Sequence, residues 1–157
     1  MIYYTVFLND LRNLKLFQDK KMKILALDLG DKWVGTAISD PLGMFARPYR
    51  TVELKELDAF LAEVIKLENI KKIIIGYPKT MKGTKSEQTK KVEHTKGELE
   101  KKFDMVPWEL WDERLSSKRA EVVKKTKTKE DKKFSHSIAA AFILDSYLTY
   151  LQAHKSI

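Results

Sequence analysis

The sequence contains no cysteine, only six glycines and four prolines in 157 residues, and no long uninterrupted apolar run. Without cysteine, neither a disulfide framework nor a thiolate metal site can form, so any bound metal would be held by oxygen or imidazole ligands. The lack of an apolar run of about 18 residues argues against a transmembrane helix. The opening residues show neither a basic leader nor a small-residue cleavage site, so a signal peptide is not expected. We therefore expect a cytoplasmic location.

Length and charge narrow the class of protein further. A chain of 157 residues with 43% hydrophobic residues can bury one core and is short for two domains. Thirty Lys and Arg residues against 22 Asp and Glu residues give a formal net charge of +8. Such a surplus suits a polyanionic partner such as nucleic acid, although it also serves solubility. Oxygen and imidazole ligands favour Mg²⁺ or Mn²⁺ over structural zinc.

The chain divides into a short N-terminal extension and one domain. Residues 1–21 have apolar residues at roughly helical spacing and end in a basic pair just before Met22. They are either an extension of unknown role, for instance a helix packed on the domain, or the product of a misassigned start. Residues 22–157 are expected to form the single domain.

The apolar patterns of the domain predict an α/β fold. Short apolar or alternating segments joined by tight turns predict three antiparallel strands, at residues 23–30, 33–40 and 45–54. Helical patterns follow at 55–68, 85–103 and 135–151, and further strands are predicted at 71–78 and 106–113. Strands separated by helices pair in parallel through right-handed crossovers. The expected fold is a mixed five-stranded sheet with helices on both faces.

Two predicted strands end in acidic residues. Asp28 closes an otherwise apolar strand, where a buried carboxylate is costly unless it is paired or binds a cation. Its alternative role is to cap the turn into the next strand. Asp112 and Glu113 end the last strand. If the first and last strands are neighbours, these carboxylates and that of Asp28 can bridge metal ions, as two-metal phosphodiester cleavage requires. Alternatively, the acid pair and Arg114 form a surface ion-pair cluster at the start of a helix.

Three further segments are candidates for binding or packing. The loop at 76–84, between a buried strand and a helix, is placed like a phosphate site but does not match a P-loop, and a plain connection is the alternative. His136, expected just before the last helix, could bind a metal or move protons. Alternatively, it is a polar residue at a helix start that takes no part in chemistry. The lysine-rich segment 124–133 is expected to be a mobile basic loop. Trp108 and Trp111 could stack on bases, although tryptophans in strands more often pack in a core.

Four segments in this order resemble the YqgF family, also called RuvX, of the ribonuclease H-like superfamily. The resemblance covers about residues 22–151 and rests on LALDLGDKWVGTAISD, IIIGYPKTMKGT, WDERLSS and SIAAAFILDSYL. It implies a ribonuclease H-like fold and a nuclease that hydrolyses phosphodiester bonds with Mg²⁺ or Mn²⁺. The implied pathway is 5′-end processing of pre-16S rRNA in ribosome biogenesis or, alternatively, Holliday junction resolution in DNA recombination and repair.

The same resemblance implies roles for individual residues. Asp28 would be the first metal ligand, and Asp112 or Glu113 the second, with Asp112 slightly preferred. The family's third acid stands where this chain has His136, and a neutral ligand there lowers the affinity for a hard cation. The resemblance also implies that Lys79, Lys82, Thr84 and Arg114 contact phosphates. Independently of it, the charge of the basic segment predicts that Lys124, Lys125 and Lys127 hold the nucleic-acid backbone electrostatically.

Two interpretations from other classes remain open. With His136 in place of an acid, the chain could be an RNA-binding ribosome-assembly factor that no longer cleaves. Sugar-kinase-like and actin-like ATPases also open with an Asp-x-Gly strand, although this chain is too short for their second lobe. The expected partners are pre-rRNA or branched DNA and ribosomal particles, and no membrane. The chain is expected to be a monomer or a homodimer, and a symmetric junction would require the dimer.

Overall fold

The computed structural model describes residues 23–79, 86–113 and 128–154. The five strands in these ranges are β1 (Lys23–Leu29), β2 (Trp33–Ser39), β3 (Ala46–Glu53), β4 (Ile70–Tyr77) and β5 (Trp108–Asp112). The same ranges contain three α-helices, which are α1 (Leu57–Leu67), α2 (Glu87–Lys102) and α3 (Lys129–His154). A 3-10 turn at Leu54–Glu56 precedes α1. Residues 1–21 lie outside the described ranges, so their separation from the domain stays a prediction.

The strands form one mixed sheet in the order β3-β2-β1-β4-β5. The tight turns make β1, β2 and β3 antiparallel neighbours, whereas the helical crossovers make β4 parallel to β1 and β5 parallel to β4. The predicted combination of three antiparallel strands and two parallel ones is therefore confirmed. The first and last strands are not neighbours, because β4 lies between β1 and β5.

Side chains of the central strands alternate between two covered faces of the sheet. On one face, Leu25, Leu27 and Ile73 pack in a cluster with residues of α1 and α2. On the other face, Ala26 and Ile74 pack in a cluster with residues of α3. Burial on both faces explains why β1 and β4 are almost continuously apolar in sequence.

Helix α3 begins earlier than the sequence patterns predict. The prediction assigned residues 124–133 to a loop and began the helix near residue 135, but residues 129–133 are helical. The prediction is wrong because the chain has no glycine or proline after Pro107, so nothing stops the helix from extending toward its N-terminus through lysine-rich sequence. The rest of the predicted basic loop, with Lys124, Lys125 and Lys127, lies outside the described residues.

The small residues of α3 bring it close to the sheet. Ala139 is 5% exposed and Ala140 is fully buried. Trp108 and Trp111 are each only 8% exposed and belong to the two core clusters, so they cannot act as stacking platforms for bases. None of the helices in the described ranges is long and apolar enough to cross a bilayer.

Candidate active site

Asp28 lies near the carboxyl end of β1, the central strand. The alternation of β1 places it on the same face as Ile24 and Ala26, which is the face covered by α3. The residue is only 4% exposed, so its carboxylate requires polar partners. His136 of α3 supplies one of them, because its Nδ1 lies 3.6 Å from Asp28 Oδ2.

Glycines flank Asp28 on both neighbouring strands. Gly35 is its partner in β2, and Gly76 directly follows Ile75, the β4 partner of Leu27. A Cβ atom at Gly35 would collide with the backbone carbonyl group of His136, and one at Gly76 would lie 2.5 Å from Glu113 Oε1. The missing side chains therefore allow the backbone of α3 and a second carboxylate to lie over the strands that flank Asp28.

The two acids at the end of β5, Asp112 and Glu113, point to opposite faces of the sheet. Trp111 belongs to the cluster under α3, so the next residue, Asp112, faces the other side, where it pairs in register with Tyr77. There Asp112 Oδ2 lies 3.5 Å from Lys79 Nζ. Glu113 returns to the face of α3 and lies over Gly76. The structure thus brings Glu113 to the face that holds Asp28, whereas the sequence had slightly favoured Asp112.

His136 lies within α3 rather than just before it, which corrects the predicted position. Its ring lies near the β1–β2 turn as well as near Asp28. A Cβ atom at Gly30 would lie 3.3 Å from His136 Cε1. The imidazole therefore lies between a carboxylate and a turn.

The start of α2 lies at the same end of the sheet. Gln88 Nε2 donates a hydrogen bond to Leu29 O at 2.9 Å, and Thr89 Oγ1 donates one to Pro78 O at 2.9 Å. Ser86 caps the helix by accepting a hydrogen bond from the backbone N–H of Thr89. The loop after β4 therefore opens beside the end of β1, as expected of strand ends in α/β sheets. Its residues 80–85, which include Lys82 and Thr84, are not among those described, and neither is Arg114.

The donor types at this site suit a divalent cation, although the described side chains form an incomplete set. Asp28 and His136 offer an oxygen and a nitrogen side by side, and Glu113 adds a carboxylate on the same face. Within the described ranges, no three His, Asp or Glu side chains are grouped closely enough to hold a metal ion. The structure thus provides two adjacent donors and, on the same face of the sheet, a second carboxylate.

A family model described as "RuvX: Holliday junction resolvase" matches residues 22–150 of this chain. The chain belongs to the RuvX family. A relative from Caldicellulosiruptor bescii is 38% identical over 135 residues, which cover 82% of this chain and 97% of the relative. Another, from Aster yellows witches'-broom phytoplasma, is 39% identical over 140 residues, or 84% and 92% of the two chains. A third, from Dictyoglomus turgidum, is 35% identical over 142 residues, which cover 87% of this chain and 100% of the relative. All three bear the name "Putative pre-16S rRNA nuclease".

The fold of this RuvX-family chain is similar to that of a solved structure of T. thermophilus RuvC in complex with a Holliday junction substrate. The TM-score is 0.50 at 14% identity, with 82% of this chain and 96% of the RuvC chain covered. This likeness concerns the fold, and it confirms the predicted ribonuclease H-like architecture.

Proposed function

We propose that this RuvX-family protein is a metal-dependent nuclease that hydrolyses phosphodiester bonds in the maturation of pre-16S rRNA, at its 5′ end. The names of relatives that are 35% to 39% identical over nearly their whole length support this role. The structural observation that carries it is the buried carboxylate of Asp28, with His136 at 3.6 Å and Glu113 on the same face. Because burying a carboxylate at a strand end costs stability, a role in chemistry accounts for it.

Asp28 and Glu113 are the proposed carboxylate ligands for Mg²⁺ or Mn²⁺. The chemistry that a divalent cation supplies in such a site is Lewis-acid polarisation of the phosphodiester that is cleaved. His136 Nδ1 lies 3.6 Å from Asp28 Oδ2, and we expect the imidazole to orient this carboxylate. The formal charge of +8 attracts the polyanionic substrate toward the protein.

His136 is expected to influence which cation supports cleavage. Imidazole is a neutral nitrogen ligand, which suits Mn²⁺ better than Mg²⁺, whereas a carboxylate suits both hard cations. We therefore expect more activity with Mn²⁺ than with Mg²⁺, and a shift toward Mg²⁺ in the His136→Asp variant. With this role in rRNA maturation, we expect the protein in the cytoplasm and precursor ribosomal particles as its partners.

A nuclease assay with and without each cation tests the proposal. The substrates are a labelled RNA that spans the 5′ end of 16S rRNA with its precursor sequence, and a four-way DNA junction. The proteins are the wild type, Asp28→Asn and His136→Asp. We expect cation-dependent cleavage of the RNA that Asp28→Asn lowers by more than about 100-fold, since even groups that only orient metal ligands contribute about 10- to 100-fold. RNA binding without cleavage in the wild type, together with cleavage by His136→Asp, would instead identify an RNA-binding assembly factor.

Holliday junction cleavage is the second candidate function. The description of the matching family model and the junction-bound RuvC of the same fold favour it. Symmetric cleavage of a four-way junction requires two active sites related by a two-fold axis, and therefore a homodimer. Paired nicks at symmetric positions, together with a dimer in analytical ultracentrifugation, would establish this function in place of rRNA processing.

A further inference from the structure

Trp33, at the start of β2, lies beside two lysine ammonium groups. The Nζ atom of Lys133 is 4.2 Å and that of Lys32 is 5.4 Å from the centre of a ring of Trp33. Trp33 is partly exposed, unlike Trp108 and Trp111, and both lysines are exposed. Because an aromatic ring attracts cations to its face, Trp33 keeps two otherwise mobile ammonium groups near its ring.

This cluster of Trp33, Lys32 and Lys133 borders the candidate active site. Trp33 O accepts a hydrogen bond from the backbone N–H of Gly30 at 3.0 Å, and a Cβ atom at Gly30 would lie 3.3 Å from His136 Cε1. Lys133 precedes His136 by about one helical turn of α3, and Lys133 O accepts a hydrogen bond from Thr51 Oγ1 at 2.6 Å. The cluster is therefore fixed to the same turn and the same helix that position His136.

Acidic side chains near the cluster are paired with other lysines. Glu53, the β3 partner of Trp33, lies 2.9 Å from Lys55 Nζ, and Asp31 lies 2.8 Å from Lys91 Nζ. In the parts of the chain that the structure describes, Lys32 and Lys133 form no ion pair with a carboxylate. A hydrogen bond from Lys55, helped by the charges of Lys32 and Lys133, lowers the pKa of Glu53 despite the opposing effect of desolvation. The local field is thus positive and available to an anion.

A cleft beside the cluster offers space for part of a nucleic-acid strand. Its volume is about 380 Å³, and it is lined by Asp31, Lys32, Glu53, Leu54 and Lys55. This size lies within the range of about 300 to 1,000 Å³ that is typical of small-molecule sites. Lys32 belongs to both the cleft and the cluster, and the two acids of the lining, Glu53 and Asp31, are paired with Lys55 and Lys91.

We propose that Lys32 and Lys133, held by the ring of Trp33, form a phosphate clamp that binds the backbone of a single-stranded RNA beside the bond cleaved at Asp28. The proposal rests on the proposed nuclease function and adds a binding subsite to it. The lysines neutralise backbone phosphates, and the ring of Trp33 holds their ammonium groups in place. The clamp positions the substrate and takes no part in bond cleavage.

The dependence of RNA binding on salt tests the clamp. Fluorescence anisotropy gives the Kd of a labelled single-stranded RNA over a series of KCl concentrations, with all proteins in an Asp28→Asn background that prevents cleavage. For Lys32→Gln with Lys133→Gln, we expect a loss of affinity at low salt and a salt slope that is shallower by about 1.4, because each lost phosphate contact on a single strand removes about 0.7. Lys66→Gln is the matched control, since Lys66 is an exposed lysine of α1 on the opposite face of the sheet.

The ring is tested separately because its removal leaves the net charge unchanged. Trp33→Ala should weaken RNA binding, whereas Trp33→Phe, which keeps an aromatic face, should retain most of it. Thermal melting of each variant shows whether it folds. If Trp33→Ala does not fold, comparing the RNA affinity of Trp33→Phe with that of the double lysine variant suffices to test the clamp. An unchanged affinity and salt slope in the folded double lysine variant, or an equal loss in Lys66→Gln, would overturn the clamp while leaving the proposed function intact. Failure of the protein with native Lys32, Lys133 and Trp33 to bind RNA at any salt concentration would overturn both.

Discussion

Gly35 lies directly beneath the backbone of His136, so that a side chain at this position would overlap the His136 carbonyl group. The close contact holds the first part of α3 against β2. It also sets the distance of 3.6 Å between His136 Nδ1 and Oδ2 of Asp28, the β1 partner of Gly35. The position of the imidazole therefore depends on the absence of a side chain in the neighbouring strand.

Gly35→Ala should destabilise the protein and displace His136. The added methyl group meets backbone atoms that cannot rotate away, so we expect the free energy of unfolding to fall by about 1 to 3 kcal/mol or more. Urea denaturation measures this change. Gly97→Ala in α2 is the control, because a Cβ there meets nothing within 4 Å and should stabilise the helix by about 0.5 to 1 kcal/mol. Shifts of the same sign in both variants would contradict the contact at Gly35.

Asp40→Ala should destabilise the turn between β2 and β3. The Asp40 carboxylate accepts hydrogen bonds from the backbone N–H groups of Met44 at 2.6 Å, Phe45 at 2.8 Å and Leu42 at 3.2 Å. Burial raises the pKa of Asp40, but these hydrogen bonds outweigh it, and the net effect is a lowered pKa. We expect a loss of about 1 kcal/mol in the free energy of unfolding at pH 7.

The pH dependence of this loss distinguishes the carboxylate from the shape of the side chain. Because the pKa of Asp40 is lowered in the folded state, its stabilisation is present above the unfolded value of about 3.9 and disappears as the pH falls through the folded value. The difference between wild type and Asp40→Ala in urea denaturation should therefore shrink in acid. A difference that stays constant down to pH 2 would argue against the charged hydrogen-bond acceptor.

Lys23 and Glu68 form a second pH-dependent contribution, which links β1 to the end of α1. Lys23 Nζ lies 2.5 Å from Glu68 Oε2, and the two side chains are 24% and 18% exposed. The hydrogen bond from Lys23 lowers the pKa of Glu68 against the raising effect of burial, and Tyr49 donates a further hydrogen bond. With a lowered folded pKa, the stabilisation is present above the unfolded value of about 4.3 and is lost as the pH falls below it.

Glu68→Gln should accordingly cost about 1 kcal/mol at pH 7 and much less in acid, since partly exposed ion pairs contribute little more than this. Guanidinium chloride would mask the ion pair by screening, so urea denaturation at pH 7 and pH 3 is the appropriate measurement. Glu63→Gln on the exposed side of α1 is the control and should change stability little at either pH. Equal losses at both pH values in Glu68→Gln would contradict the electrostatic contribution.

The sequence predicts the elements of this fold well but leaves part of its topology open. Apolar runs buried on both faces identify β1 and β4, and short turns identify the antiparallel strands. The same patterns do not say which parallel strands are neighbours, because a crossover can bridge one strand or skip it. The start of α3 is mispredicted because charge density suggests a loop at 129–133, whereas the lack of glycine and proline permits a helix.

The candidate site is only partly predictable for a similar reason. Asp28 stands out as the lone acid in an apolar strand, and the structure places His136 beside it. The choice between Asp112 and Glu113 is ambiguous in the sequence, because Trp108 and Trp111 are three residues apart and therefore face opposite sides of the strand. Only the position of β5 in the sheet, which brings Glu113 beside Gly76, indicates which of the two acids faces α3. The contact between Trp33 and Lys133 likewise joins residues 100 positions apart, and no local pattern signals it.

We infer that phosphodiester cleavage uses the carboxylates on the face of the sheet that α3 covers. Comparing the cleavage rates of Glu113→Gln and Asp112→Asn tests this inference most directly, because the two adjacent substitutions remove the same charge on opposite faces. We expect a loss of more than about 100-fold in kcat for Glu113→Gln and only a small loss for Asp112→Asn, whose carboxylate lies beside Lys79. Loss of cleavage in Asp112→Asn with activity retained in Glu113→Gln would contradict it.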